Sequence, residues 1–148
     1  MPSFSQSSAG KLDTAIDRFQ RLFNKVIQEY DNTILQGWRS SEEQLSLFNE
    51  KRSKVKQGKH NESPSRAIDS APYLSGRGIP WPKTPDDWNN KDQRNSYIKD
   101  LAQFYHYAGY VQGVAFSEGI PVRWGGDWDR DHDLSDQTFD DLVHFEDP

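Results

Sequence analysis

The chain contains no cysteine, which excludes both a disulfide framework and a thiolate metal site. Any bound metal would have to be held by His, Asp and Glu. Apolar residues are scarce, at 33% of 148, and no apolar run approaches the roughly 20 residues needed to cross a bilayer. Residues 1–8 carry neither a basic region nor an apolar one, so they read as a polar lead-in rather than a secretory signal. A basic surplus is missing too. Against 18 Lys and Arg stand 23 Asp and Glu, a net charge of −5, which argues against a nucleic-acid binder. Aromatics, in contrast, reach 13% and include five Trp. A core resting on a few large side chains is expected, and disorder is not. The length suits one domain. The expectation is a soluble monomer made in the cytoplasm, with no stable membrane association.

Apolar residues from Leu12 to Tyr30 recur at helical spacing, with charges on the opposite face, and predict one amphipathic helix over residues 11–30. Thr33-Ile34-Leu35-Gln36 reads as a strand. Ser40 and Glu43 form a capping box that opens a second helix, placing Arg39 just before its N-terminus, a suitable position for a cation meant to meet an anion. The basic stretch 51–61, with Lys51, Arg52, Lys54, Lys56 and Lys59, reads as an exposed helix end and loop, with an anion-binding patch as the alternative. Ser63-Pro64-Ser65 is a turn, and a strand starts at Arg66-Ala67-Ile68-Asp69. Four prolines between residues 71 and 90 exclude regular structure there, leaving either a substrate-facing lid or an ordered irregular cover. Helical spacing returns from Asp92 to Ala115, with Gly119 as its stop and Gly109 or Gly113 as earlier possible breaks. Ile120 to Trp124 and Phe139 to Phe145 read as strands, with Gly125-Gly126 as a turn between them. The fold class is α+β, its last strands antiparallel.

Two segments carry the chemistry. His60 and Asp69 lie on either side of the Pro/Ser turn. Asp141 and His144 lie three apart near the end of the chain. Two imidazoles and one carboxylate make a first shell for catalytic zinc with one position open to water. A further carboxylate would move the protons. Asp127, Asp129, Asp131 and Asp133 alternate like the opening of a calcium loop, but the Gly and terminal Glu of that pattern are out of place; a solvated acidic loop is the expectation, with a calcium site as the alternative. His106 and His132 read as ordinary residues. Glu146, two beyond His144 on one strand face, is read as a plain carboxylate, with support of His144 as the alternative.

Four pieces together carry a family resemblance: Gly37-Trp38-Arg39-Ser40 with Glu43-Gln44; His60 through Ser65-Arg66-Ala67-Ile68-Asp69; Trp124-Gly125-Gly126-Asp127-Trp128; and Asp141-Leu142-Val143-His144-Phe145-Glu146. In this order they resemble the zinc peptidases that cut peptidoglycan stem peptides, a family of D-alanyl-D-alanine carboxypeptidases and dipeptidases and of L-alanyl-D-glutamate endopeptidases used as phage endolysins. The resemblance implies a small antiparallel sheet with flanking helices, hedgehog/DD-peptidase-like. It implies His60, Asp69 and His144 as zinc ligands, Asp141 as the catalytic acid/base, and Arg39 as the group that stabilises the oxyanion or anchors substrate. Many members carry Glu where this chain has Asp141, and the gap between His60 and Asp69 is longer than in the carboxypeptidases. With no export signal and no wall-binding repeat in sight, a single-domain phage endolysin cleaving the L-alanyl-D-glutamate bond is favoured. It would wait in the host cytoplasm until lysis and then act on the wall. Hydrolysis of D-alanyl-D-alanine is the enzymatic alternative, and an inactive zinc-containing wall-binding module the non-enzymatic one.

Overall fold

A computed structural model describes residues 1–148. Four helices surround one sheet: α1 (Gln6–Leu12), α2 (Asp17–Val26), β1 (Asn32–Gln36), α3 (Ser41–Asn49), β2 (Ala67–Pro72), α4 (Lys91–Ser117), β3 (Arg123–Gly125) and β4 (Asp141–Glu146). All strand pairs are antiparallel, in the order β1-β2-β4-β3. The α+β class and the pairing of the last two strands are as the sequence indicated.

The first helix is not continuous. Ser5 accepts from the Ser8 N–H to start α1 within the stretch read as a polar lead-in. The helix then stops at Leu12, and α2 begins at Asp17. Between them the backbone pairs elsewhere: the Ser65 N–H donates to Thr14 O at 2.8 Å, and the Ile16 N–H donates to Ser65 O at 3.0 Å. Two hydrogen bonds to the turn before β2 thus replace a stretch of helix ladder, and the apolar spacing persists because both helices face the same core. Leu12, Phe19, Leu22, Phe23 and Val26 are all buried there, against Ile34, Ile68, Tyr107, Val111 and Phe145.

Helix α4 runs unbroken through Gly109 and Gly113, which are both exposed. Each costs about 1 kcal/mol relative to Ala, and burial of Phe104, Tyr107, Ala108, Val111 and Ala115 along one face outweighs that. The stop comes at Gly119, whose φ of +66° places it in the left-handed region. The proline-rich stretch is an ordered cover rather than a lid. Trp81 packs on Phe104, Trp88 on Tyr97, and Arg77 pairs with Asp100 of α4.

The C-terminus is fixed by one carboxylate. Asp147 is 4% exposed; its side chain pairs with Arg18 of α2 and Arg66, and its N–H donates to Arg66 O at 2.9 Å. No helix is long and apolar enough to cross a membrane.

Phe23 is fully buried, edge-on to both Phe19 and Phe145. Truncation there leaves a cavity between α2 and β4. Phe23→Ala is expected to cost about 3–5 kcal/mol, read in urea as a lower midpoint at constant slope.

Candidate metal centre

Strands β2 and β4 pair so that Asp69 stands opposite His144. Cross-strand partners project to the same side of a sheet, and the two side chains meet, His144 Nδ1 lying 3.1 Å from Asp69 Oδ1. His60 arrives from a short 3-10 turn, Lys59–Asn61. That turn is tied by the Arg39 N–H donating to His60 O at 2.8 Å, and by Asn61, whose side chain accepts from the Gly58 N–H and donates to Arg39 O. His60 Nε2 then lies 3.1 Å from Asp69 Oδ1 and 3.3 Å from His144 Nδ1. Both imidazoles are buried, at 5% and 9% exposure.

The outer nitrogens are committed. His60 Nδ1–H donates to Gly37 O at 2.7 Å, and His144 Nε2–H donates to Glu146 Oε1 at 2.9 Å. Those bonds leave His60 Nε2 and His144 Nδ1 as lone-pair atoms facing a carboxylate oxygen. Three acceptors at such separations repel unless a proton or a cation sits among them. The edge of a tetrahedron around zinc, with bonds of about 2.0 Å, is about 3.3 Å. The donor set and its spacing therefore fit that ion.

Electrostatics point the same way. Burial works to lower the His144 pKa, but hydrogen bonds to Asp69 and Glu146 outweigh it and hold the ring up at about 9. Burial likewise works to raise Asp69, and the two imidazoles override it, keeping the carboxyl well below its usual range. The pocket is built for positive charge beside Asp69.

Glu146 is more than a plain carboxylate. It receives the His144 N–H on one oxygen and Arg123 on the other, Arg123 Nη2 lying 3.0 Å and Nε 3.2 Å from Oε2. Arg123 and Glu146 are register partners on β3 and β4. The signal was present in the sequence as the two-residue spacing from His144, which puts both side chains on one strand face.

Asp141 and Arg39 line the same cleft, of about 1040 Å³, with the three clustered residues. Burial, and then the negative charge of Asp69, raise the pKa of Asp141 above that of an ordinary carboxyl. Its backbone touches Gly125 so closely that a Cβ there would be driven into the Asp141 carbonyl. Arg39 donates from Nη1 to Gln44 Oε1 at 2.9 Å and holds Nη2 3.5 Å from Asp69 Oδ2, while its Nε is buried with no partner. Gln44, buried at 2%, passes on two hydrogen bonds, to Ser53 Oγ and Val55 O. Sequence reading took Gln44 only as part of a motif; the structure makes it the post that fixes Arg39 to the stretch after α3.

Of the four alternating aspartates, Asp127, Asp129 and Asp131 bring an oxygen each within 4.8 Å of one another. Asp133 instead accepts from the N–H and hydroxyl of Ser135 and opens a 3-10 turn. The four do not form one set, and calcium gains no support from them. His106 bonds Tyr30 on the far side of the core, and His132 stays in the loop.

The sequence profile of the family described as phage L-alanyl-D-glutamate peptidase matches residues 2–147. The L-alanyl-D-glutamate peptidase of Escherichia phage T5 is 26% identical over 137 residues, covering 90% of this chain and 87% of that protein. Among solved structures, the Serratia marcescens L-Ala D-Glu endopeptidase ChiX shares the fold, with a TM-score of 0.67 and 20% identity over 98% of this chain and 89% of that one.

Glu146→Ala removes the acceptor that orients the His144 ring. Zinc affinity is expected to fall about 10–100-fold, measured by competition with a chromogenic chelator, while Asp147 still anchors the end of the chain.

Proposed function

This chain belongs to the phage L-alanyl-D-glutamate peptidase family, and from that membership and the cleft we propose that it is a zinc-dependent endolysin. Its reaction is hydrolysis of the L-alanyl-D-glutamate bond in peptidoglycan stem peptides. The observation that carries the reading is the buried convergence of His60 Nε2, Asp69 Oδ1 and His144 Nδ1 at 3.1–3.3 Å beside a protonatable carboxylate and an arginine.

A zinc ion held by those three atoms would act as a Lewis acid, making water acidic enough to lose a proton near neutral pH and polarising the amide carbonyl. Asp141 accepts the proton of the attacking water and later delivers it to the departing amine of D-glutamate, so that one water is consumed and an acid and an amine are released. The largest cause of the raised pKa of Asp141 is burial, which favours the protonated form that the carboxyl must hold between the two transfers. The Arg39 guanidinium, braced by Gln44 and lining the cleft beside Asp69, supplies positive charge toward the oxygen on which negative charge accumulates. Gly37 and Glu146 keep both imidazoles in the tautomer that presents a lone pair inward. The substrate is thus a peptidoglycan stem peptide, and the site of action is the cell wall.

Purified peptidoglycan digested with zinc-loaded protein is expected to yield new N-terminal D-glutamate, with L-alanine left on the sugar, and a chelator should abolish it. Mass spectrometry reads the product; release of free D-alanine would instead assign the D-alanyl-D-alanine reaction. Asp141→Asn removes the proton carrier and should lower kcat by about 10²–10⁴ while one zinc per chain remains bound, measured by elemental analysis.

A further inference from the structure

The stretch after α3, which the sequence presented as a solvated basic loop, is one wall of the cleft and contributes Arg52, Lys54 and Lys59 to it. Of the cations that line the cleft, Arg39 is engaged by Gln44 and Asp69, and Arg52 lies 3.4 Å from Glu50. Lys54 and Lys59 both lack an ion-pair partner, and of the two only Lys54 stands over an aromatic ring. Its Nζ sits 5.3 Å from the centre of the Phe139 ring.

Phe139 belongs to an aromatic shelf. It stacks on Trp128 with centroids 6.2 Å apart and planes 14° apart, and Trp128 in turn lies 5.5 Å from the His144 ring. The indole N–H of Trp128 donates to Phe139 O at 2.8 Å, and its backbone N–H donates to Gln137 Oε1 at 3.0 Å. Aromatic contacts therefore run without a gap from the metal centre to Lys54. An ammonium over an exposed ring is weakly held and keeps its full charge. An anion lying along the shelf would draw it into a stronger, charge-assisted hydrogen bond.

The proposed substrate brings such an anion. A D-glutamyl residue joined to the chain through one of its two carboxyl groups retains the other as a free carboxylate, next to the scissile bond. We infer that Lys54 is a specificity-determining residue that pairs with this free carboxylate, with Trp128 and Phe139 supporting the peptide beneath it. The inference rests on the peptidase reading and adds to it the feature by which the substrate is chosen.

The test uses two synthetic stem peptides that differ only in that carboxyl group, which is free in one and a carboxamide in the other. The zinc-loaded protein is expected to prefer the acid about tenfold in kcat/KM, mostly through KM, and the preference should shrink as salt is added. Lys54→Met should bring the ratio close to one, and Lys54→Arg should restore most of it. Binding of the uncleaved peptides to the Asp141→Asn variant, followed by tryptophan fluorescence, should give the same ranking. Equal cleavage of acid and amide by the unaltered protein overturns the assignment. So does an equal loss on both peptides in Lys54→Met, which would make the Lys54–Phe139 contact a mere latch between the two walls. Cleavage of neither peptide by the unaltered protein would refute the peptidase reading itself, an outcome separate from these.

Discussion

The register between β2 and β4 is the constraint on which the centre depends. Asp69 opposite His144 brings a carboxylate and an imidazole together across one strand pair. A slip of one residue would send His144 to the other face of the sheet. That register is held from both sides. Ile68 and Phe145, the next pair along, are fully buried in the core, so a slip would also expose the Phe145 ring to water. Beyond them, Asp147 fixes the end of β4 to Arg66 and Arg18. Hydrophobic burial on one face of the sheet therefore guarantees the geometry of the polar cluster on the other.

Polar atoms that converge inside a protein are costly unless each has a partner. Here the cost is managed in layers. Asp69 and the inner nitrogens face one another, the outer nitrogens are satisfied by Gly37 O and Glu146, and Glu146 is itself neutralised by Arg123. Each layer sits on an element already fixed by backbone pairing: Gly37 at the end of β1, Glu146 on β4, Arg123 on β3. The side chains have little freedom left to lose when an ion or a substrate arrives.

Much of this was legible in the chain because it depends on local spacing. The cap at Ser40, the strand at Ile34, the long helix and its stop at Gly119 all follow from periodicity and turn chemistry, and the absence of cysteine left His, Asp and Glu as the candidate donors. What was hidden depends on contacts distant in sequence. The break between α1 and α2 is caused by Ser65, about 50 residues away, and no apolar pattern reports a backbone pairing of that kind. The choice between lid and cover for the proline-rich stretch was settled by Trp81, Trp88 and Arg77 reaching α4. Its composition had suited both. Gln44 was overlooked for a similar reason. A glutamine on a short polar helix looks solvated until the loop that folds over it is seen.

Asp141 shows how main-chain packing can set the place of a short side chain. An aspartate has a single methylene, so the path of the backbone decides where its carboxylate lies. On β3, Gly125 is the register partner of Asp141, at an irregularity where the pairing jumps from Trp124–Phe145 to Gly125–Asp141. With no side chain at Gly125, the two backbones come closer than any Cβ would permit. Trp124 is locked beside it, its indole N–H donating to Leu142 O at 2.8 Å. The start of β4 is thereby pressed against β3, and the position of the Asp141 carboxylate is set by main chain rather than by a flexible arm. A carboxylate placed in this way also suffers the burial that raises its pKa. One close approach thus places the group in the cleft and subjects it to the burial that weakens it as an acid, two properties that suit the role of proton carrier proposed for it.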